Sequence, residues 1–327
     1  MKVLLIGDLH IKRNNLADSL SLFERIIQLS EQVDSIIHLG DLYNDHGVMT
    51  ADVQKIIVDF FSRIPKHKIL FNIEGNHDMD GDGINSSLYV HSDQLNINNI
   101  REIRYSNQLK SILMPYIRDP REFEEKLAIK LKEYPTTKTV FCHEEFNGAI
   151  YENGMYAPNG ADSSKFPNIQ FISGHIHAEQ EFSNVWYAGS PRWLTKSDAN
   201  QSRGLWILDM EDGVYVDSSF ISSEDILPKY HSITINDKDL ETISLPDLPA
   251  KDKIYITYTG SDPKVIKKIR NKYENLSLKI LSPDIFSPQT VSEAKGIVES
   301  IQDYVNQIDL PINKTTLLNE IMKRISL

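Results

Sequence analysis

Cysteine is almost absent from this sequence: Cys142 stands alone among 327 residues. A single thiol cannot close an internal disulfide, and no paired-cysteine zinc motif can form. The fold therefore rests on its apolar core, and the chain suits a reducing compartment. Long hydrophobic runs are missing as well. No stretch approaches the roughly 18 apolar residues of a membrane helix, and the N-terminal run Val3–Ile6 gives way to Asp8 before it could serve as a signal-peptide core. These absences lead to the expectation of a cytoplasmic protein with no membrane partner. Repeats of fixed period and low-complexity segments are lacking too. Positive charge is scarce: 35 Lys and Arg face 46 Asp and Glu, for a formal net charge of −11. Taken alone, that deficit argues against nucleic acid, because phosphate contact needs Lys and Arg. What the chain does have is 40% hydrophobic and 25% charged residues, the balance of an ordinary globular protein. Its length suggests about two domains.

Hydrophobic patterning predicts an α/β beginning. Short apolar runs at Val3–Ile6, Ser35–Leu39 and Lys68–Ile73 read as strands, and the amphipathic stretches Leu16–Glu31 and Ala51–Ile64 read as helices between them. This alternation implies right-handed crossovers and parallel pairing. Further strands are expected at Ser111–Met114, Thr137–Cys142 and Gln170–Ser173. Val185–Ala188, Leu205–Asp209 and Val214–Ser218 then follow without long helices, which points to a mixed, layered sheet. A boundary is expected near Ile226–Lys229. Beyond it lie strand-like runs at Ser232–Ile235 and Ile254–Thr259, a two-proline loop at Leu245–Ala250 and a Lys-rich helix pattern at Pro263–Glu274. At the end, Val291–Ile308 and Thr315–Ile325 form a helical hairpin pattern around Pro311, with a wide apolar stripe on each arm.

Five short motifs carry chemistry, each after an apolar run. They are Gly7-Asp8-Leu9-His10, Gly40-Asp41, Gly75-Asn76-His77-Asp78, Cys142-His143 and Gly174-His175-Ile176-His177. Residues i and i+2 share a side of an extended chain, so Asp8 with His10, and His175 with His177, are expected to act as ligand pairs. The strand ends of one parallel sheet would bring the motifs to one edge, where open α/β sheets place their ligands. Carboxylates, an amide oxygen and imidazoles together suit Mn, Zn or Fe, with Mg also compatible. Asp41 has two oxygens and can bridge two ions, which two-metal sites hold about 3.5–4 Å apart. Each piece has a plainer reading as a turn or cap residue; the ordered set of five favours a dinuclear centre. Elsewhere His38 reads as a core residue or a neighbour of the ligands, and His46, His67, His91 and His231 as surface or loop residues. Cys142 reads as a buried small residue turned away from the centre.

In this order, GDLH, GD, GNHD, H and GHIH resemble the calcineurin-like metallophosphoesterases over roughly residues 1–220. More narrowly, the chain is similar to the SbcD/Mre-type DNA repair nucleases, nearest to the recombination endonuclease subunits of tailed phages. The narrower features are Glu144-Glu145-Phe146-Asn147-Gly148 after His143, the segment Tyr187–Pro191, Leu194-Thr195 and the C-terminal hairpin. The resemblance implies a four-layer α/β/β/α sandwich over 1–226, a small α+β capping domain over 227–285 that contacts DNA, and a helical hairpin over 286–327 that docks on the coiled coil of an SbcC-like SMC-family ATPase. It further implies one ion held by Asp8, His10, Asp41 and His177, and a second by Asp41, Asn76, His143 and His175. Two divalent ions are expected, Mn2+ first and Mg2+ as the alternative. The same pattern makes His77 the acid or transition-state stabiliser rather than a ligand, with Asp78 as its orienting partner. Relatives from archaea and eukaryotes carry a histidine three residues after the Asp41 position, and bacterial and phage relatives often an aspartate, whereas this chain has Asn44, which can hydrogen-bond a phosphate but carries no titrating proton. The balance of exonuclease and endonuclease activity is left open by that difference. A homodimer is implied too, through Ala51–Ile64 and the Ile84–His91 region, although Phe60 and Phe61 can equally be core.

The leading expectation is a metal-dependent DNA phosphodiesterase. A small-molecule or cyclic-nucleotide phosphodiesterase shares the same centre but does not need an apolar tail hairpin, and a non-enzymatic scaffold does not need a full ligand set. The charge deficit is not uniform. Lys251–Ile280 holds eight basic residues against three acidic ones, and Lys264, Lys267, Lys268 and Arg270 are candidate DNA contacts alongside Asn44. A Lys-rich helix can equally be a solvated face.

Overall fold

A computed structural model describes residues 1–81, 83, 85–88, 97–236 and 245–281. The elements from the N-terminus are β1 (Lys2–Ile6), α1 (Leu16–Ser30), β2 (Ser35–His38), α2 (Ala51–Arg63), β3 (Ile69–Ile73), β4 (Ile97–Ile100), β5 (Arg104–Ser106) and β6 (Ser111–Met114). Next come α3 (Pro120–Glu133), β7 (Thr139–His143), β8 (Gln170–Gly174), β9 (Gln180–Phe182), β10 (Val185–Tyr187), β11 (Gly204–Glu211) and β12 (Val214–Ser222). Last are β13 (Tyr230–Asn236), β14 (Lys253–Thr259), α4 (Pro263–Lys272) and β15 (Leu276–Leu281).

Strand β1 is apolar on both faces, and its side chains alternate. Val3 and Leu5 enter one buried cluster, Leu4 and Ile6 another. The same division recurs in β2, where Ile37 sides with Val3 and Ile36 with Leu4. Strands covered on both faces read as continuous apolar runs, which is why these segments stand out in the sequence. The first sheet has the order β12-β11-β1-β2-β3-β4. Strands β1 to β4 are parallel, and the β11–β12 hairpin adds antiparallel strands beside β1. Helices α1 and α2 cover its outer face through Phe23, Ile26, Ile57 and Phe60. The second sheet runs β5-β6-β7-β8-β10-β9. Its Leu113, Phe141, Ile172 and Trp186 meet Val3, Leu5 and Ile37 between the sheets, while Val140 and Phe171 face Phe123 and Leu127 of α3 on the far side. The result is the four-layer α/β/β/α sandwich.

Helix α3 and strands β4, β5, β9 and β15 were not expected from the sequence. The signals for α3 were an N-cap at Asp119, whose side chain accepts from the Arg121 amide at 2.9 Å, and Pro120 in the first turn. Strand β4 carries polar Asn98 and Asn99, and Asn72 donates to Asn99 at 2.8 Å within the sheet. Phe60 and Phe61 are buried within the chain, with Phe60 stacked on Phe23, so that part of the expected dimer surface belongs to the core.

The chain divides into two units. The first comprises Met1–Ile233, Leu245–Ile256 and Ile269–Ser277; the described part of the second is 234–236, 257–268 and 278–281. Strands β13, β14 and β15 pair in that order. The hairpin pattern at Val291–Ile308 and Thr315–Ile325, His91, and parts of the Ile84–His91 region lie outside the described residues. Among the described residues, no helix is long and apolar enough to cross a membrane.

Candidate metal centre

The motif residues arrive from both sheets. Asp8, Asp41 and Asn76 follow β1, β2 and β3 of the first sheet; His143 ends β7, and His175 and His177 follow β8 of the second. This corrects the expectation of a single sheet edge. Two mixed sheets with parallel central strands, stacked face to face, bring two sets of strand ends together. The i, i+2 geometry is also modified, because His10, Asp41 and His175 sit at φ 44°, 56° and 85°. Non-glycine residues rarely adopt that left-handed region, and such positions cluster at functional sites. Two glycines make room for the ligands. A Cβ on Gly75 would stand 2.2 Å from Asp41 Oδ1, and one on Gly40, at φ 109°, would stand 2.3 Å from His143 Nδ1.

Seven side chains converge; two sets flank Asp41, and Asp8 reaches both, since Asp8, Asp41 and His143 also offer ligand atoms within 4.8 Å of one another. In the first, His10 Nε2 faces His177 Nε2 at 2.9 Å and Asp41 Oδ2 at 3.4 Å, and Asp8, His10 and His177 offer ligand atoms within 4.8 Å of one another. In the second, Asn76 Oδ1 lies 3.0 Å from His143 Nε2 and 2.9 Å from His175 Nδ1, and His143 Nε2 lies 3.5 Å from Asp41 Oδ1. His143 donates Nδ1–H to the Leu39 carbonyl at 2.8 Å, so its Nε2 lone pair is the one turned inward.

These donors fit divalent cations. Nitrogen lone pairs and carboxylate oxygens crowd together, and Asp8 Oδ2 is buried with no hydrogen-bond partner. Burial raises the carboxyls of Asp8 and Asp41 above their usual range, with the neighbouring Asp8 and Asp78 charges pushing Asp41 further. Burial also holds His10 and His143 well below the usual imidazole value, and neighbouring imidazoles add to it. Bound cations are the largest local charges in such a site and invert this balance, favouring ionised carboxylates and neutral imidazoles.

Around the seven, His77 stands edge-on to His10 at 4.6 Å, and its Nδ1 donates to the Asn44 carbonyl at 2.6 Å. Burial lowers its imidazole value as well. A ligand atom of His77 comes within 4.8 Å of those of His10 and Asp41. The His77 ring makes its hydrogen bond with Asn44 rather than with Asp78, contrary to the expected orienting role. The Asp78 carboxylate accepts from the Asp41 and Gly75 amides at 2.9 Å and the Tyr43 amide at 3.0 Å, fastening the loop after β2 to the loop after β3. Asn44 therefore holds His77 through its main chain, and its side chain accepts from Lys12 at 3.2 Å.

Three contributors were missed in the sequence. His46, read as a surface or loop residue, is indeed exposed on a loop, and it also stacks on His77 at 4.1 Å and pairs with the Asn76 carbonyl at 3.0 Å. Arg203 is buried, donates to the His177 carbonyl, and pairs with the buried Asp198 at 2.5 Å. Glu144 is buried, and burial pushes its carboxyl up to about 8. Only His46 had a visible signal, its place near GD. His38 is a core residue bonded to Asn72 at 2.7 Å, His67 is exposed, and His231 pairs with Asp252 at 2.7 Å. Cys142 is buried on the α3 side of its sheet. Lys264, Lys267, Lys268 and Arg270 are exposed on α4 and are not among the converging side chains. A cavity of about 950 Å³ adjoins Asn76 and His46, walled in part by Tyr116, Arg101, Arg118 and Glu74.

Residues 1–179 match the family Metallophos, calcineurin-like phosphoesterase. Two iridovirus proteins, each named Putative phosphoesterase, are similar. The match to 078R of Invertebrate iridescent virus 3 is 28% identical over 58% of this chain and 57% of that protein. For 244L of Invertebrate iridescent virus 6 it is 26% over 80% of this chain and 94% of that protein. Exonuclease subunit 1 of Enterobacteria phage T4 is 26% identical over 64% of this chain and 65% of its own length.

Proposed function

Since the chain belongs to the calcineurin-like phosphoesterase family and is a metal-dependent hydrolase, we propose that it is a DNA nuclease that hydrolyses phosphodiesters at a dinuclear centre. The observation that carries the reading is the pair of ligand groups sharing Asp41: Asp8, His10 and His177 on one side, Asn76, His143 and His175 on the other. Bound there, two divalent ions would supply Lewis acidity and a nucleophilic water at neutral pH. The protein's own contribution is positional. Asp41 offers one oxygen to each group. His77, with Nδ1 committed to Asn44, keeps Nε2 free to stabilise charge on the phosphate or to protonate the leaving oxygen. Asp78 holds the two loops that carry Asp41 and Asn76 in register.

DNA is favoured over a small diester by similarity to the phage exonuclease subunit. The word subunit in that relative's name supports a partner subunit; we further propose, on the motif resemblance alone, that the partner is an SbcC-like SMC-family ATPase engaged by 286–327 and that the chain forms a homodimer. Mn2+ is the proposed metal, the compartment is cytoplasmic, and Lys264, Lys267, Lys268 and Arg270 of a 227–285 capping domain contact the backbone. The test is incubation with end-labelled duplex DNA and, separately, with a chromogenic diester, each with Mn2+, with Mg2+ or with chelator. Metal-dependent DNA cleavage that outpaces the chromogenic diester supports the proposal. Turnover of the chromogenic diester with intact DNA would reject it in favour of a small-substrate enzyme.

A further inference from the structure

The loop that leaves the ligand His143 carries three ionisable side chains that the proposed chemistry does not use: Glu145, Tyr151 and Glu152. Its course brings them against the far sides of the two GHIH histidines. His175 turns Nδ1 towards Asn76 and His143, at 2.9 and 3.3 Å, and its other nitrogen, Nε2, stands 3.8 Å from Glu145 Oε2. His177 does the reverse. Its Nε2 faces His10 at 2.9 Å, and its Nδ1 stands 3.9 Å from Glu152 Oε1. Asp198 also comes within 4.8 Å of His177 and Glu152, but its carboxylate is paired with Arg203 at 2.5 Å. Each carboxylate is itself held: Glu145 accepts from the Tyr151 hydroxyl, and Glu152 accepts from the Ala178 amide at 3.0 Å. All four side chains are about four-fifths buried, so water competes weakly for the ring protons.

A neutral imidazole has one N–H and one lone pair, and which nitrogen carries the proton follows from what the other faces. His143 has its proton placed by the Leu39 carbonyl. His175 and His177, two residues apart, need opposite tautomers to turn both lone pairs inward. We propose that Glu145 and Glu152 are positioning residues that impose those tautomers, Nε2–H on His175 and Nδ1–H on His177, one carboxylate for each ligand group. The separations are about 0.8–0.9 Å beyond a formed hydrogen bond of about 3.0 Å, so the pairs are close polar contacts rather than formed hydrogen bonds. Carboxylates behind ligating histidines are a general device for fixing ring orientation, and their loss costs about 10–100-fold in metal affinity. This inference rests on the dinuclear reading of the site. It adds that one loop serves both ions.

The test uses the full chain and Glu145→Gln and Glu152→Gln, which keep the shape and remove the charge. Imidazole 15N spectra of the parent loaded with diamagnetic Zn2+ should show His175 protonated at Nε2 and His177 at Nδ1; the reverse tautomer at either ring overturns the proposal. Mn2+ titration of the parent should resolve two binding steps. Glu145→Gln should weaken one by about 10-fold or more, and Glu152→Gln the other. Both variants should keep the parent's urea midpoint in chelator. Steps unchanged within twofold, or a loss of both steps together with a fall in midpoint, would overturn it. If the parent binds no Mn2+, the dinuclear reading fails; two intact steps in the parent that neither variant moves reject this inference alone.

Discussion

Replacing Arg203 with methionine tests how the centre is anchored to the core. Arg203 is 1% exposed, and one guanidinium nitrogen pairs with Asp198 Oδ1 at 2.5 Å and Gln201 Oε1 at 2.8 Å. The other terminal nitrogen donates to the carbonyl of the proposed ligand His177. Asp198 is fully buried and also accepts from the Leu194 and Thr195 amides at 2.8 and 2.6 Å. Methionine fills most of the volume but leaves the Asp198 carboxylate without its counter-charge and the His177 carbonyl without this donor. Removing one partner of a buried pair costs about 3–5 kcal/mol. Against a total stability of about 5–15 kcal/mol, that is a large fraction. At a urea slope of about 3 kcal/mol per molar, the midpoint falls by about 1–1.7 M. Tryptophan fluorescence in chelator is the assay, because Trp186, Trp193 and Trp206 all lie in the unit that holds the centre. Adding Asp198→Asn should recover part of the loss, and Mn2+ affinity should drop in the step that involves His177. A single variant within 1 kcal/mol of the parent, with both binding steps intact, would refute the reasoning.

His77→Ala should bind two ions, as judged by elemental analysis, yet lose at least about 100-fold in cleavage rate, the lower range for a general acid; normal cleavage would remove His77 from the mechanism. Gly75→Ala sets a Cβ 2.2 Å from Asp41 Oδ1, so Mn2+ titration should show both binding steps disrupted, and parent-like affinity would contradict the packing. For His38, burial lowers the imidazole value to about 4, partly opposed by its bond to Asn72. The unfolded chain takes up this proton near pH 6.5 and the folded one only near 4. The stability contribution is thus intact above 6.5 and is lost as pH falls towards 4. At 1.36 kcal/mol per unit, the urea stability of the parent relative to His38→Gln should fall by about 2 kcal/mol between pH 7 and 5; a pH-independent difference would count against a neutral buried ring.

The sandwich was legible where strands are covered on both faces, as in Val3–Ile6, Ser35–Leu39 and Thr137–Cys142, because the burial leaves unbroken apolar runs. Helix α3 was not, since only Phe123 and Leu127 are fully buried, Ile129 faces solvent and charged residues make up most of the other positions. The seven centre residues were legible because each follows such a run. Their neighbours were harder to read. Asp78 was placed by its motif, but its three backbone partners come from loops 3 to 37 residues away. Arg203 meets His177 through the β11 edge, a long-range contact with no local pattern. His46 looked like an ordinary loop residue until the fold set it on His77.

The central claim is that Asp41 joins two ion sites. Anomalous diffraction from crystals soaked in Mn2+ tests it most directly. The account predicts two peaks about 3.5–4 Å apart, one against Asp8, His10 and His177, the other against Asn76, His143 and His175, with one Asp41 oxygen on each. A single peak, or two peaks that Asp41 does not bridge, would contradict it.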